Sequence, residues 1–468
     1  MKPGEVPPWW LTEARLFDEP EAPALTGDIE VDIAVIGGGY TGLWTALALR
    51  EREPGLRIAV LERARCGDGP SGRNGGFLHG YWSAIGWLRE VLSDEQVLAL
   101  ARAGDRIMPA VQAFAERQGE DIWLRRGGLL KVSTSPGQDE RIEAAVQAAR
   151  QLSVPEEAVA LSRDELAERC RSPRFRTGVL FRDGATVQPA RLVGALRRAV
   201  LADDGIALHE RTLVVRLRRG RPNVLETPSG TLSAREVVVA ANAAATGWRP
   251  LARRLTNFGS YVVLTEPVPD LVEELRWTGG EAITDARMFL HYFRTTPDGR
   301  VLIGSGSGPI GLGGRLDDRF THDVESVARA ESGLRSLLPA LARARVTHAW
   351  GGPIDVSADR IPFVGTLPGT RVHYAAGFSG NGVGPSWLAA QTLASLVTAR
   401  DDEWAMLPLV GRRTRPLPPE PIKRLGGGLV RAAALAGEDA EEAGRQPPRM
   451  AAAIAALPRL LGLRLGVR

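Results

Sequence analysis

The chain has 468 residues, 44% of them hydrophobic and 24% charged, values of a globular protein with room for two or three domains and a large core. Two cysteines, Cys66 and Cys170, exclude a disulfide framework and a four-cysteine metal site, and make a reducing cytoplasm the expected location. The net charge is +4, carried almost wholly by arginine; lysine occurs only at Lys2, Lys131 and Lys423. This reads as a compositional bias, and no nucleic-acid partner is expected from it.

The opening "MKPGEVPPWW" has no apolar run of the secretory type, and no later stretch offers the ~20 apolar residues of a membrane span. "DIEVDIAVIGGGYTGLWTALALREREPGLRIAVLERA" then reads as strand, glycine turn, helix and second parallel strand. Gly37, Gly39 and Gly42 form G-x-G-x-x-G: a tight turn, close approach of a pyrophosphate, and close packing of helix on strand. Tyr40 and Thr41 open the helix, where free N–H groups and the dipole favour an anion. Glu62, followed by Arg63, closes the second strand about 20 residues beyond Gly42, where an acid can hold the hydroxyls of an unphosphorylated ribose. NAD and FAD both meet that description.

Next comes "CGDGPSGRNGGF" (66–77), a glycine–serine loop with Arg73 and Asn74 inside it. "DIWLRRGGLLKVSTS" reads as a hairpin; "DERIEAAVQAARQLS" and "QPARLVGALRRAVLADDG" read as helices. Strands follow, with turns expected at Ser229-Gly230 and Asp298-Gly299. "RVHYAAGFSGNGVGPSWLAAQTLASLV" is again strand, glycine turn and helix, with Pro385 and Ser386 at the first helical positions. Two glycine-lined helix N-termini at opposite ends of the chain suit one long ligand with an anionic group at each end. That favours FAD, whose reduced ring carries charge, over NAD.

The order of these motifs, with "VVVAANAAATG" between them, resembles the D-amino acid oxidase and sarcosine oxidase superfamily of FAD-dependent oxidoreductases. Within it, "PSGRNGGF", "SYVVLTEP" and "WGGPIDVSADRIPFVG" are similar to the γ-glutamylputrescine oxidoreductase-like amine oxidoreductases, over roughly residues 28–402. The resemblance implies an α/β fold: a Rossmann-type (glutathione-reductase-like) FAD-binding domain interleaved with a sheet-rich α+β substrate domain. The FAD domain would take residues 28–105, 180–250 and 345–402, and the substrate domain 106–179 and 251–344. An N-terminal arm (1–27) and a basic C-terminal extension (403–468) flank them.

By the same resemblance, Ser71, Gly72, Arg73, Asn74, Gly75 and Gly76 would run along the pyrophosphate and the flavin, with Gly75 and Gly76 bare so that the ring can lie on backbone. Val214 would hold the adenine, and Ala241 and Asn242 would end a strand beside the pyrophosphate. Gly377, Gly380, Asn381, Gly382 and Val383 would meet the pyrimidine side. Members that oxidise amino acids carry a carboxylate-binding arginine just past the Trp350 position. Here Ile354 and Asp355 stand there, which favours an amine without a neighbouring carboxylate; an arginine elsewhere, such as Arg294, would favour an amino acid. No cysteine follows Cys170, so FAD would be noncovalent. No lysine lies between 131 and 423, so the lysine that helps oxygen react is missing unless Arg253 or Arg254 replaces it, and a dehydrogenase stays open beside an oxidase.

Amine oxidation needs deprotonation of the amine and placement of its α-carbon at flavin N5 for hydride transfer, giving an imine that hydrolyses to an aldehyde. The expected partners are a small amine and O2 or another electron acceptor, with no metal. His79, Tyr261, His291, Trp350 and Asp355 are the residues expected near the chemistry, with Tyr292 of similar standing. Trp82 and Trp350 read as pocket walls and Trp44 as core. Residues 411–468 hold 11 Arg/Lys against 5 Asp/Glu. Their end, "AAAIAALPRLLGLRLGVR", reads either as a peripheral segment for an anionic membrane or as a tail wrapped on the body.

Overall fold

The computed structural model describes residues 7–460 and 462–463; part of the final apolar-arginine segment therefore lies outside the described residues. Among them, the strands form two eight-stranded sheets and one two-stranded sheet. Strand Ile29–Ile36, helix Tyr40–Arg52 and strand Ile58–Leu61 form the first βαβ unit, with Ile36 opposite Leu61 in parallel register. Gly230–Val239 lies parallel on the other side, Ile36 opposite Val239. Val372–Ala376 follows it, Val239 opposite Tyr374, and Ile206–His209 flanks the second strand, Leu61 opposite His209. Five parallel strands thus end at one edge.

Alternation along these strands builds two cores. Val35 and Val60 point toward helices Tyr40–Arg52, Pro189–Leu201 and Pro385–Val397, packing with Leu43, Leu196 and Leu388. Ala34 and Ala59 point the other way, toward Leu225, Phe363 and Tyr374. This is the Rossmann-type layer.

The second sheet is mixed, and its strand Leu255–Thr265 pairs over its whole length with Val346–Ser357. One face carries Val263, Phe293 and Ile303 against Leu334 and Leu337 of helix Val324–Leu337. The opposite face, with Val262, Leu264 and Leu302, merges into the core of the first layer. Side chains between the two layers therefore come from both.

Two local expectations change. Residues 121–135 hold a single strand, Leu129–Val132, because its partners are distant: Gly178–Phe181 antiparallel and Ala282–Asp285 parallel. The turn near 229 centres on Pro228-Ser229, since Thr227 pairs with Gly230. The hairpin around Asp298-Gly299 forms as expected, between His291–Thr295 and Val301–Ser305.

The N-terminal arm is held by a buried ion pair. Arg197 meets Glu210 at 2.9 Å, and Glu210 also accepts the N–H groups of Ala22 and Cys66, each at 2.8 Å. Burial alone would raise the Glu210 pKa; Arg197 and those amides hold it below the usual carboxylate value. The C-terminal extension packs on the second sheet through helix Ile422–Glu442, followed by Arg449–Leu460. No helix among the described residues is long and apolar enough to cross a membrane.

Candidate active site

The carboxyl ends of the five parallel strands open into one cavity of about 900 Å³, the place where α/β sheets of this kind take ligands. Gly37 and Gly39 follow the first strand, Glu62 and Arg63 the second, and Val214 comes shortly after Ile206–His209. Ala241 and Asn242 follow Gly230–Val239, and Gly380, Gly382 and Val383 the last strand; all of these line the cavity. Tyr40, Thr41, Ser71, Arg73 and Asn74 line it as well.

Gly42 does not face this space. A Cβ there would lie 1.8 Å from the Gly37 carbonyl oxygen, so helix and turn can approach only without one. Glu62 accepts the N–H of Gly38 at 2.8 Å and of Ala64 at 2.9 Å, while burial pushes its pKa up. Ser71 Oγ accepts the Tyr40 N–H at 3.0 Å, which places a hydroxyl at the first turn of the helix.

A second cavity of about 260 Å³ adjoins the first. Arg73, Asn74, Ile354, Gly380 and Val383 line both, and Gly75 and Asn381 line the smaller. Its far walls come from the second sheet, with Lys131, Ser260, Asp285 and Tyr292, and from Phe77, His79 and Trp87. Phe77 and Tyr292 meet edge to face at 5.7 Å, and the Tyr292 hydroxyl lies 2.8 Å from Ser260 Oγ. Burial pushes the Tyr292 pKa up to about 12, so this phenol stays neutral.

The glycine pair is bare for a different reason than expected. A Cβ at Gly75 would lie 2.8 Å from the Tyr292 ring. Gly76, at φ +75°, would put one 2.0 Å from the Val187 carbonyl oxygen. The protein's own packing fills that space, and neither Gly76 nor the tightly packed Gly72 lines a cavity. Gly377 lies just behind the wall; its N–H donates to Asp355 at 2.5 Å.

Asp355 is also committed to Phe378 N at 3.2 Å and to Asn242 Nδ2 at 3.1 Å. It staples the last glycine turn to the end of the neighbouring strand, rather than standing free for an amine. Burial raises its pKa to about 6 against those hydrogen bonds.

Of the other residues expected near the chemistry, His79 lines the second cavity. Tyr261, His291 and Trp350 line neither. Tyr261 donates its hydroxyl to the Arg319 carbonyl, and His291 Nδ1 lies 2.7 Å from Asp285 Oδ2, behind the cavity wall. Trp350 donates its indole N–H to the Arg73 carbonyl at 2.9 Å. Trp82 is likewise buried, donating to Asp105 at 2.5 Å, and Trp44 packs in the core on Phe114. Arg294 is no pocket residue: fully buried, it donates to the Val187 and Gly76 carbonyls. Arg253 and Arg254 face neither cavity.

Three residues in the second cavity escape a reading of motifs: Lys131, Asp285 and Arg360. Arg360 lies in the same segment as Ile354, stacks on Trp87 at 5.5 Å and, among the described residues, has no ion-pair partner within salt-bridge distance. Among the described residues no His/Cys/Asp/Glu group has the arrangement of a metal site.

The residues fit a dinucleotide with a second ring system. The larger cavity has the volume of a cofactor site, an acid at one end and two helix N-termini beside it. Asn381 Nδ2, which lines the smaller cavity, is a buried donor without a partner among the described residues.

Known proteins agree with that geometry. A family model described as FAD dependent oxidoreductase, DAO, matches residues 32–396. The probable oxidoreductase OrdL of Rhizobium meliloti is 30% identical, covering 84% of this chain and 89% of its own length. The γ-glutamylputrescine oxidoreductase of Escherichia coli is 29% identical, covering 82% and 88%. The crystal structure of glycine oxidase from Geobacillus kaustophilus superposes with a TM-score of 0.68 at 25% identity, covering 82% of this chain and 99% of that one.

Proposed function

The chain belongs to the DAO family of FAD-dependent oxidoreductases, and from that premise we propose that it oxidises the C–N bond of a small primary or secondary amine. The observation that carries this reading is Ile354: an apolar side chain stands where the two cavities meet, at the position where amino-acid-oxidising relatives would need a carboxylate-binding arginine.

Bound noncovalently in the larger cavity by the residues at the strand ends, FAD would supply the two-electron acceptor for the hydride of the amine's α-C–H bond. The chain's own residues do the rest. Phe77 and Tyr292 offer aromatic faces and edges that hold a cationic head and exclude water. His79 Nδ1 lies 3.1 Å from the Gly80 carbonyl, an acceptor only, so Nδ1 carries the proton and Nε2 is the basic atom. That atom takes the proton from the substrate ammonium, leaving the neutral amine that can lose a hydride. The resulting iminium adds water and releases an aldehyde with ammonia or an amine, and O2 or another carrier is the terminal acceptor.

A second reading, an amino-acid oxidase, is favoured by Arg360. It offers the second cavity a guanidinium that has no acidic partner among the described residues, and burial lowers its pKa to about 10, so it remains charged at neutral pH. Anaerobic mixing of the yellow protein with alkylamines, diamines and amino acids decides between them. Bleaching by amines alone supports the first reading, bleaching by amino acids alone the second, and bleaching by neither class sinks both.

A further inference from the structure

The wall of the second cavity between strands Ala282–Asp285 and His291–Thr295 is a short loop, residues 286–290. Ala286, Arg287 and Leu290 line the cavity. Met288 and Phe289 turn the other way and pack with Ala434 and Leu435 of the C-terminal helix Ile422–Glu442, beside Phe258 and Ile310. The backbone of this loop is not part of a ladder, so its polar groups rely on side chains.

Ala286 N donates to Gln138 Oε1 at 3.3 Å, and the Ala286 carbonyl accepts from Arg141 at 2.8 Å. Met288 N and Phe289 N both donate to Glu438 Oε1, at 2.6 and 3.4 Å. One turn further along the helix, Glu442 pairs with Arg287, and Glu441 accepts from Ser135 Oγ at the start of the helix that bears Gln138 and Arg141. Three acids of one helix, Glu438, Glu441 and Glu442, therefore meet both segments that shape this wall. The helix lies beyond residue 396, where the family match ends, so this support belongs to the extension.

We propose that the C-terminal helix Ile422–Glu442 is a brace for the substrate wall, with Glu438 the positioning residue that holds loop 286–290 in its cavity-lining conformation. The inference rests on the second cavity being the amine site. Glu438 touches no reacting atom and acts through the loop: without it two buried N–H groups lose their acceptor, and Arg287 and Leu290 lose the geometry that sets the cavity's width.

The test uses the full-length, FAD-loaded protein with Glu438→Ala and Glu438→Gln. Amide hydrogen exchange over residues 285–291, measured without amine, should speed up about tenfold across the loop in Glu438→Ala and return toward wild type in Glu438→Gln, which keeps an acceptor oxygen. Under anaerobic mixing, the amine dissociation constant should rise about tenfold in Glu438→Ala, while the limiting rate of flavin reduction changes less than about threefold.

Unchanged exchange overturns the proposal. So does faster exchange confined to the two amides of Met288 and Phe289, or faster exchange with an unchanged amine constant. If no amine bleaches the wild-type protein, the amine reading fails, and the brace still stands or falls on the exchange result. If Glu438→Ala does not fold, Glu442→Gln, which breaks only the pair with Arg287, is measured in the same way.

Discussion

Trp10 and Trp350 meet edge to face at 6.2 Å, and their indole N–H groups donate to two consecutive carbonyls, Asn74 and Arg73, at 3.0 and 2.9 Å. One indole comes from the N-terminal arm and the other from the long strand of the second sheet. Together they fix the loop where the two cavities join. Replacing either by Phe keeps most of the packing and removes one buried hydrogen bond, about 1 kcal/mol. The expected result is FAD affinity weakened about fivefold by Trp10→Phe or Trp350→Phe, read by fluorescence titration of apoprotein. Unaltered affinity in both would show that the loop is held by other contacts.

Glu62 and Gly42 test the nucleotide end. Gly42→Ala places a methyl against the Gly37 carbonyl, which must separate helix from turn, and the purified variant should carry little or no flavin. Glu62→Ala leaves the amides of Gly38 and Ala64 without their acceptor and should cost FAD affinity at least about tenfold. A fully yellow Gly42→Ala protein would contradict the close approach of Gly42 to the Gly37 carbonyl.

Arg360→Gln separates the two substrate readings. A charge-assisted bond to a carboxylate contributes about 1.5–3 kcal/mol. For an amine that bears a carboxylate, KM should therefore rise about 10- to 100-fold, with no change for a simple alkylamine. Equal effects on both substrate types would mean that Arg360 serves only the fold.

Stability should depend on pH through three buried acids. Burial raises Asp183 to about 7, Asp355 to about 6 and Glu438 to about 7. Unfolded, these groups release their protons near pH 4, so between about 4 and 7 the folded state binds more protons. Their contribution to stability is full below that window and is lost as pH rises through it. Asp183→Asn removes one contributor. The fall in melting midpoint between pH 5 and pH 8 should be smaller in the variant by several degrees. An identical slope would mean that Asp183 is not perturbed in the folded protein.

The nucleotide end was legible because its constraints are local. Gly37, Gly39, Gly42 and Glu62 lie within one βαβ unit, and glycine spacing, helix start and strand-end acid all speak for one ligand. The last glycine turn was legible for the same reason, though not its neighbour across the sheet. Asp355 reads as a free acid until Gly377 and Phe378 are seen to need an acceptor, a demand set by tertiary placement. Tyr261 and His291 lie on strands that do border the site, yet strand alternation and their partners Arg319 and Asp285 turn them away. Arg360, Lys131 and loop 286–290 come together only through the second sheet, and no spacing in the chain records that.

The order of the strands has a consequence for biosynthesis. Val372–Ala376 seats itself beside Gly230–Val239, two places from the first strand of the chain, and brings the last glycine turn with it. A nascent polypeptide still lacking that strand presents only half of the groove. The vitamin-derived ligand can thus be captured firmly only once Val372–Ala376 has been made, and a product cut short before that strand would leave the ribosome pale.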